Sequence, residues 1–341
     1  MTIPNDFYAR LYEKMPRRLA FRPECLNDFS AWQARVRSKL RELLKLDPPP
    51  ATSHSEVVER VENNGLLREK TLICDPLFGP IPIVILKSVD QRALAPGILC
   101  LHGHGGYFAG KDMVAGTPEA SSIAHECAEA HNYDYGMQLA KAGFVTVCPD
   151  AWNFGERMFS ADRHTTGHVC DRYFAELSAF GFSSAGVTTR GNIMVLNYLL
   201  SRPDVKPGSA GCVGFSYGGF QALLLAAADL RIAATVISGA AFRYAGCLVK
   251  NAMCGAQIIP SALEWFDLPD LAISLAPRPA LWEMMRKDQY FDFNISWQLY
   301  HQLENTYNRL GAENNIRSDT ADTDHRFIGR KVPDFFRHYL R

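Results

Sequence analysis

An α/β fold with a mostly parallel central sheet and helices on both faces is what this sequence predicts. Three observations carry that prediction. Short apolar strand-like runs alternate with helical patterns from about residue 98 onward. The runs before that point are joined by hairpin chemistry, which gives the sheet an antiparallel start. One apolar run leads directly into Gly214-Phe215-Ser216-Tyr217-Gly218, and a helical pattern follows at once.

At the N-terminal end, Phe29, Trp32, Val36, Leu40, Leu43 and Leu44 recur at helical spacing between Asn27 and Leu46. Asn27 or Asp28 supplies the cap, and Pro48-Pro49-Pro50 ends the helix. Residues 1–50 therefore read as a helical extension packed on a main domain of residues 51–341. Strand-like runs follow at Glu56–Val61, Leu66–Cys74 and Ile81–Leu86, with Asn63-Asn64-Gly65 as the first turn because Asn and Gly tolerate positive φ. The later strands are expected at Ile98–Leu101, Phe144–Cys148, Gly211–Val213, Ala233–Ile237, Ala280–Met284 and Asn315–Ser318. Helices are expected at Tyr135–Ala142, Ser184–Ser201, Gly218–Ala228 and Phe293–Leu310. Two long irregular connections, near residues 107–132 and 152–182, follow carboxyl ends of strands, where open α/β sheets place their ligands. They are expected to form lids or pocket walls.

Composition narrows the class of partner. The 341 residues carry 36 basic and 36 acidic side chains, and this balance points away from nucleic acid and anionic membranes. No apolar stretch is long enough to span a bilayer, and Met1 to Ala20 lacks the apolar core of a secretory signal. Three of the nine cysteines, Cys100, Cys148 and Cys212, sit in strand-like runs and suggest a reducing compartment, so a cytoplasmic location is expected. The expected partner is a small molecule, with a homo-oligomer left open.

The Gly-x-Ser-x-Gly stretch matches a nucleophile elbow, in which a serine occupies a strained turn between strand and helix. Small neighbours two residues away on either side are needed there, and Gly214 and Gly218 supply them. A serine nucleophile needs a base, and the base needs an orienting carboxylate. His325, in the polar stretch Asp322-Thr323-Asp324-His325-Arg326-Phe327, is the candidate base; His301 and His338 sit in helical patterns and read as structural. Asp288, just beyond the strand at 280–284, is the candidate acid, with Glu283 inside that strand as its rival. Oxyanion donors are expected from the Tyr217 N–H and from His104 or Gly105 in His102-Gly103-His104-Gly105-Gly106. His102-x-His104, with His125, His131, His164 or His168, could suggest zinc. No His-Glu-x-x-His or paired Cys-x-x-Cys spacing supports it, so neither metal nor cofactor is expected.

From about Pro96 onward the motifs resemble the acetyl xylan esterase-like and dienelactone hydrolase-related bacterial esterases of the α/β-hydrolase fold. The resemblance rests on the His102–Gly106 stretch, Pro149-Asp150-Ala151-Trp152-Asn153-Phe154-Gly155-Glu156-Arg157, Ser201-Arg202-Pro203-Asp204-Val205 and Asp229-Leu230-Arg231-Ile232-Ala233-Ala234. Leu268-Pro269-Asp270-Leu271 and Leu275-Ala276-Pro277-Arg278-Pro279 complete it. It implies hydrolysis of a carboxylic ester, an acetyl ester or similar, through an acyl-enzyme on Ser216. Three departures stand out: Tyr217 in the elbow, Trp282-Glu283-Met284-Met285 where relatives have an aliphatic run and a glycine turn, and Ser216 where dienelactone hydrolases proper use cysteine. The same residues would also serve for a lactone, amide or carbon–carbon bond, and a non-catalytic binding protein of this fold is the third alternative. Glu156 and Arg157 are read either as substrate contacts or as an ion pair bracing their loop.

Overall fold

The computed structural model describes residues 6–48, 54–105, 109–117, 120–162, 169–244 and 253–341. Pro49, Pro50, Gly106, His164, His168 and parts of both long connections lie outside the described residues.

Side-chain alternation shows how one sheet buries two faces. In the strand Ala95–Leu101, Leu99 and Leu101 join one apolar cluster, while Ile98 and Cys100 join the cluster on the opposite face. Cys212 and Val213 divide in the same way. Such strands read as continuous apolar runs because neither face meets water.

The strands, in chain order, are β1 (Ser55–Asn63), β2 (Leu66–Asp75), β3 (Gly79–Ser88), β4 (Ala95–Leu101), β5 (Val145–Pro149), β6 (Val205–Phe215), β7 (Ile232–Ser238), β8 (Ala280–Met285) and β9 (Ile316–Ala321). They form one sheet in the order β1-β2-β3-β5-β4-β6-β7-β8-β9. Pairing is antiparallel from β1 through β3 to β5 and parallel from β5 onward. The first turn has Asn64 and Gly65 at φ 49° and 75°, the positive values that their residue types permit.

The helices are α1 (Phe7–Lys14), α2 (Phe29–Leu43), α3 (Lys111–Ala115), α4 (Ser122–His131), α5 (Tyr135–Lys141), α6 (Cys170–Ala179), α7 (Ser184–Ser201), α8 (Tyr217–Ala228), α9 (Leu268–Ile273), α10 (Phe293–Arg309) and α11 (Val332–Tyr339). Helices α2, α7, α8, α9 and α10 pack on one face. Helices α3, α4, α5 and α11 cover the other. This is the mostly parallel, doubly covered α/β-hydrolase architecture that the sequence predicts.

Two local expectations change. Helix α2 is capped by Asp28, whose carboxylate accepts the Ala31 N–H, but it ends before the prolines. Lys45 turns left-handed at φ 53° and the Leu46 N–H bonds back to the Arg41 carbonyl, closing the last turn. The long connections are also less irregular than expected, since they contain α3, α4 and α6. Helix α4 buries only Ala124, so it has no apolar stripe for a sequence reading to find. No described helix is long and apolar enough to cross a membrane.

Candidate active site

Strand β6 and helix α8 meet at Ser216, which sits at φ 58° and ψ −123°. That backbone is sparsely populated for a residue with a Cβ and costs on the order of 1–3 kcal/mol. It is held by the Ser216 N–H, which bonds to the Ser238 carbonyl at 2.9 Å on the neighbouring β7. The flanking glycines are required by proximity. A Cβ on Gly214 would stand 2.0 Å from the Gly218 oxygen, and one on Gly218 would stand 1.8 Å from the Leu101 oxygen. The serine thus stands at the N-terminus of α8, where unpaired backbone N–H groups favour developing negative charge.

Two loops from the carboxyl ends of β8 and β9 bring Asp288 and His325 together. His325 Nδ1 lies 2.7 Å from Asp288 Oδ2. A carboxylate only accepts, so this contact fixes the proton on Nδ1 and leaves the lone pair on Nε2. The second oxygen, Oδ1, accepts the N–H groups of Tyr290 and Phe291 at 2.8 and 3.0 Å. The Asp288 side chain is 2% exposed, so the pair is shielded from water. The imidazole itself lies against Phe215, Tyr290 and Phe291.

The rival acid, Glu283, has another employment. It is buried in β8, and its two oxygens accept the N–H groups of Gly329 and Ile328 at 2.8 and 3.3 Å. Burial pushes its carboxyl up to about 7, and the neighbouring Asp319 adds to the shift. The other acids near the histidine are paired: Asp319 with Arg330, Asp322 with Lys287 and Asp324 with Arg326. His301 bonds to Glu304 on the exposed face of α10, and His338 lies in α11.

Ser216, Asp288 and His325 line one cavity of about 950 Å³. His104 and Gly105, from the loop after β4, line the same cavity. Tyr217 does not: its ring is buried and presses on His104 with centroids 4.8 Å apart. The second ring on this loop's other side is Tyr133, which no sequence motif marks. Its hydroxyl occupies the space a Cβ on Gly103 would need, at 2.1 Å, and its ring stands against Gly105. Burial pushes the Tyr133 phenol well above its ordinary value, so it stays neutral.

The loop carrying these groups rests on a buried polar frame. His102 Nε2 accepts the Ala151 N–H at 3.0 Å and Nδ1 donates to the Gly103 carbonyl, while burial pulls its pKa down. Below it, Lys111 bonds to Asp150 and Glu156 at 3.1 and 2.5 Å. Glu156 also takes Lys70, so the bracing expected of Glu156 occurs with two lysines. Arg157 instead lies over the Trp152 ring. Neither Glu156 nor Arg157 lines the cavity.

The C-terminal end of α4 fastens the histidine loop. His131 Nδ1 lies 3.0 Å from the His325 carbonyl, the Asn132 amide donates to the Phe327 carbonyl at 3.1 Å, and the Phe327 N–H bonds to the His131 carbonyl. The first long connection is therefore a wall of the cavity that also holds one of its functional loops.

Comparison with known proteins agrees with this architecture. The profile described as "Abhydrolase family" matches residues 7–334. The "Putative hydrolase YtaP" of Bacillus subtilis (strain 168) is 26% identical over 206 residues, which are 59% of this chain and 62% of that protein. The aligned part thus spans less than two thirds of that relative's length. A crystal structure described as a "putative acetyl xylan esterase" from Bacteroides fragilis NCTC 9343 superposes with a TM-score of 0.79 at 20% identity, covering 98% of this chain and 88% of that one. A glucuronoyl esterase from Solibacter usitatus gives a TM-score of 0.68 at 14% identity, covering 96% and 100%. At these identities the two structures speak to the fold.

Proposed function

The chain belongs to the Abhydrolase family, and from that premise we propose that it is a serine hydrolase cleaving a carboxylic ester through an acyl-enzyme on Ser216. One observation carries the reading: a serine in strained backbone at a helix N-terminus shares a cavity with a histidine whose Nδ1 is held by a buried carboxylate.

In this reading His325 Nε2 takes the Ser216 proton as the hydroxyl oxygen attacks the ester carbonyl. Asp288 stabilises the imidazolium that forms. The tetrahedral oxyanion is met by the Tyr217 N–H and by an N–H of the loop after β4. The second donor is the N–H of His104 or Gly105, both of which line the cavity. The imidazolium then protonates the leaving alcohol, and a water activated by the same nitrogen releases the acid.

A cavity of about 950 Å³ exceeds what an acetyl group fills, so most of its volume would hold the alcohol. Its walls include Asp171, Gln257, Gln289 and Asp292, hydrogen-bonding groups suited to an alcohol rich in hydroxyls. The ester of a sugar with a small acyl group fits, in keeping with the acetyl xylan esterase description of one similar structure.

The test is active-site labelling with a fluorophosphonate, together with turnover of p-nitrophenyl acetate and acetylated sugars. Ser216 should carry the label, and Ser216→Ala should stay folded without turnover. Full activity in that variant, or no label on a folded sample, would sink the reading.

A further inference from the structure

Three side chains from three separate segments converge beside the loop that follows β4. His104 Nε2 lies 3.0 Å from Cys254 Sγ and 3.8 Å from Cys170 Sγ. All three donor atoms lie within 4.8 Å of one another. We propose that His104, Cys170 and Cys254 form a binding site for a thiophilic divalent metal ion of the zinc class.

The spacing suits such an ion. With Zn–S near about 2.3 Å and Zn–N near about 2.0 Å, tetrahedral geometry separates sulfur from nitrogen by roughly 3.5 Å and two sulfurs by roughly 3.8 Å. The two nitrogen–sulfur separations bracket the first value and the two sulfurs lie within 4.8 Å, so small side-chain shifts complete the geometry. Two thiolates and an imidazole are also a donor set that selects zinc over magnesium or calcium, which prefer oxygen.

The convergence is built into the fold. Cys170 opens α6, and Cys254 precedes a short helical turn at Gly255–Gln257. These segments are pressed together at Gly255, where a Cβ would stand 2.4 Å from Phe174 Cβ and 2.7 Å from the Cys170 oxygen. The Gly255 N–H bonds to Asp171 Oδ1 at 2.7 Å, locking the two cysteine segments in register. The His104 ring is held on its flanks by Phe154 and Tyr217. Outside the donors, the Asn153 amide donates to Cys170 Sγ at 3.6 Å, the kind of support that orients a thiolate ligand.

Sequence spacing could not reveal this group, because His104, Cys170 and Cys254 come from three distant stretches, and no metal was expected on that basis. His104 and Cys254 also line the cavity that holds Ser216. An ion there would have its remaining coordination position on the cavity side. The site does not depend on the serine chemistry, so the two readings can fail separately.

The experiment is zinc retention by the full chain, stripped with chelator and kept reduced with a phosphine, measured by competition with a chromophoric chelator. Wild type should retain about one equivalent, and Cys170→Ser and Cys254→Ser should each bind at least about 100-fold more weakly. Ser216→Ala and Cys74→Ser should bind as wild type does; Cys74 is exposed on β2 and serves as the control for adventitious thiols. Zinc should also protect Cys170 and Cys254, and not Cys74, from alkylation read by mass spectrometry. Should the cysteine variants fail to fold, cobalt(II) on the unmodified chain gives the second readout, a thiolate-to-cobalt charge-transfer band. Zinc retention equal in wild type and both variants, protection spread over all cysteines, or no such band overturns the proposal.

Discussion

Asp288 divides its carboxylate between two tasks: Oδ2 holds His325 Nδ1 at 2.7 Å, while Oδ1 accepts the N–H groups of Tyr290 and Phe291. The second task ties the acid to the backbone of its own loop, so the imidazole is oriented against a fixed point. This gives a sharp substitution. Asp288→Asn can keep the Oδ1 bonds, but its amide then donates toward Nδ1 and forces the proton to Nε2, the nitrogen that must act as base. For the proposed ester hydrolysis, kcat should fall by roughly 10³- to 10⁴-fold with little change in melting temperature. Steady-state kinetics beside a thermal melt decides it; a loss under about tenfold would remove Asp288 from the role.

Glu283 should report on stability rather than turnover. Its carboxyl is pushed from an ordinary 4.5 up to about 7 by burial. The folded protein therefore binds a proton that the unfolded chain releases between those values. Its contribution is fully present below about 4.5 and is lost as pH rises through about 7, levelling off above. A shift of this size corresponds to something on the order of 3 kcal/mol. Glu283→Gln cannot ionise, so its urea midpoint should lose the decline that wild type shows between pH 5 and 7.5. Parallel pH curves for the two proteins would contradict this.

The sequence made some of this site legible and hid the rest for physical reasons. Ser216 could be found because a strained elbow demands an unusual local pattern, small residues at 214 and 218 between a strand and a helix. His325 and Asp288 followed from chain order, since parallel strands deliver their loops to one edge of the sheet in sequence. Tyr133 could not be found: it reaches the loop after β4 from the far end of the first long connection, and an isolated tyrosine carries no pattern. Glu156 reads in the sequence as a substrate contact or an ion pair with Arg157; it braces its loop through lysines on β2 and α3 instead, contacts that only the tertiary fold creates. Helix α4 was missed because it packs by alanine and by its C-terminal residues instead of an apolar stripe.

Gly218 is the strictest position in the elbow. Its missing Cβ would lie 1.8 Å from the Leu101 oxygen, a backbone atom of a central strand that has no room to move. Gly218→Ala should therefore destabilise the protein by at least about 1–3 kcal/mol, the ordinary cost of overpacking, and displace Ser216 as the helix backs away. A lowered melting temperature together with weaker fluorophosphonate labelling is the expected pair. A stable variant that labels at the wild-type rate would show that the helix and strand can separate without consequence.

Asn132 offers a way to separate holding the histidine loop from building it. The residue ends α4 in left-handed backbone at φ 55°, and its amide donates to the Phe327 carbonyl two residues beyond His325. Asn132→Gly keeps that backbone accessible and removes the clamp together with the bond that Asn132 Oδ1 accepts from the Gln138 amide at 2.7 Å. The Gln138 amide keeps its bond to Asp134, and two lost hydrogen bonds at roughly 1 kcal/mol each should leave the fold intact. His131 Nδ1 would still face the His325 carbonyl, leaving the loop attached but looser. Misplacement of a catalytic group by about 1 Å can cost about 10²-fold in rate, so a partial shift of the imidazole should lower kcat by roughly 3- to 30-fold. KM should change little, because Asn132 itself does not line the cavity. If kcat holds and KM rises instead, the end of α4 serves substrate binding, and the loop after β9 positions His325 without it.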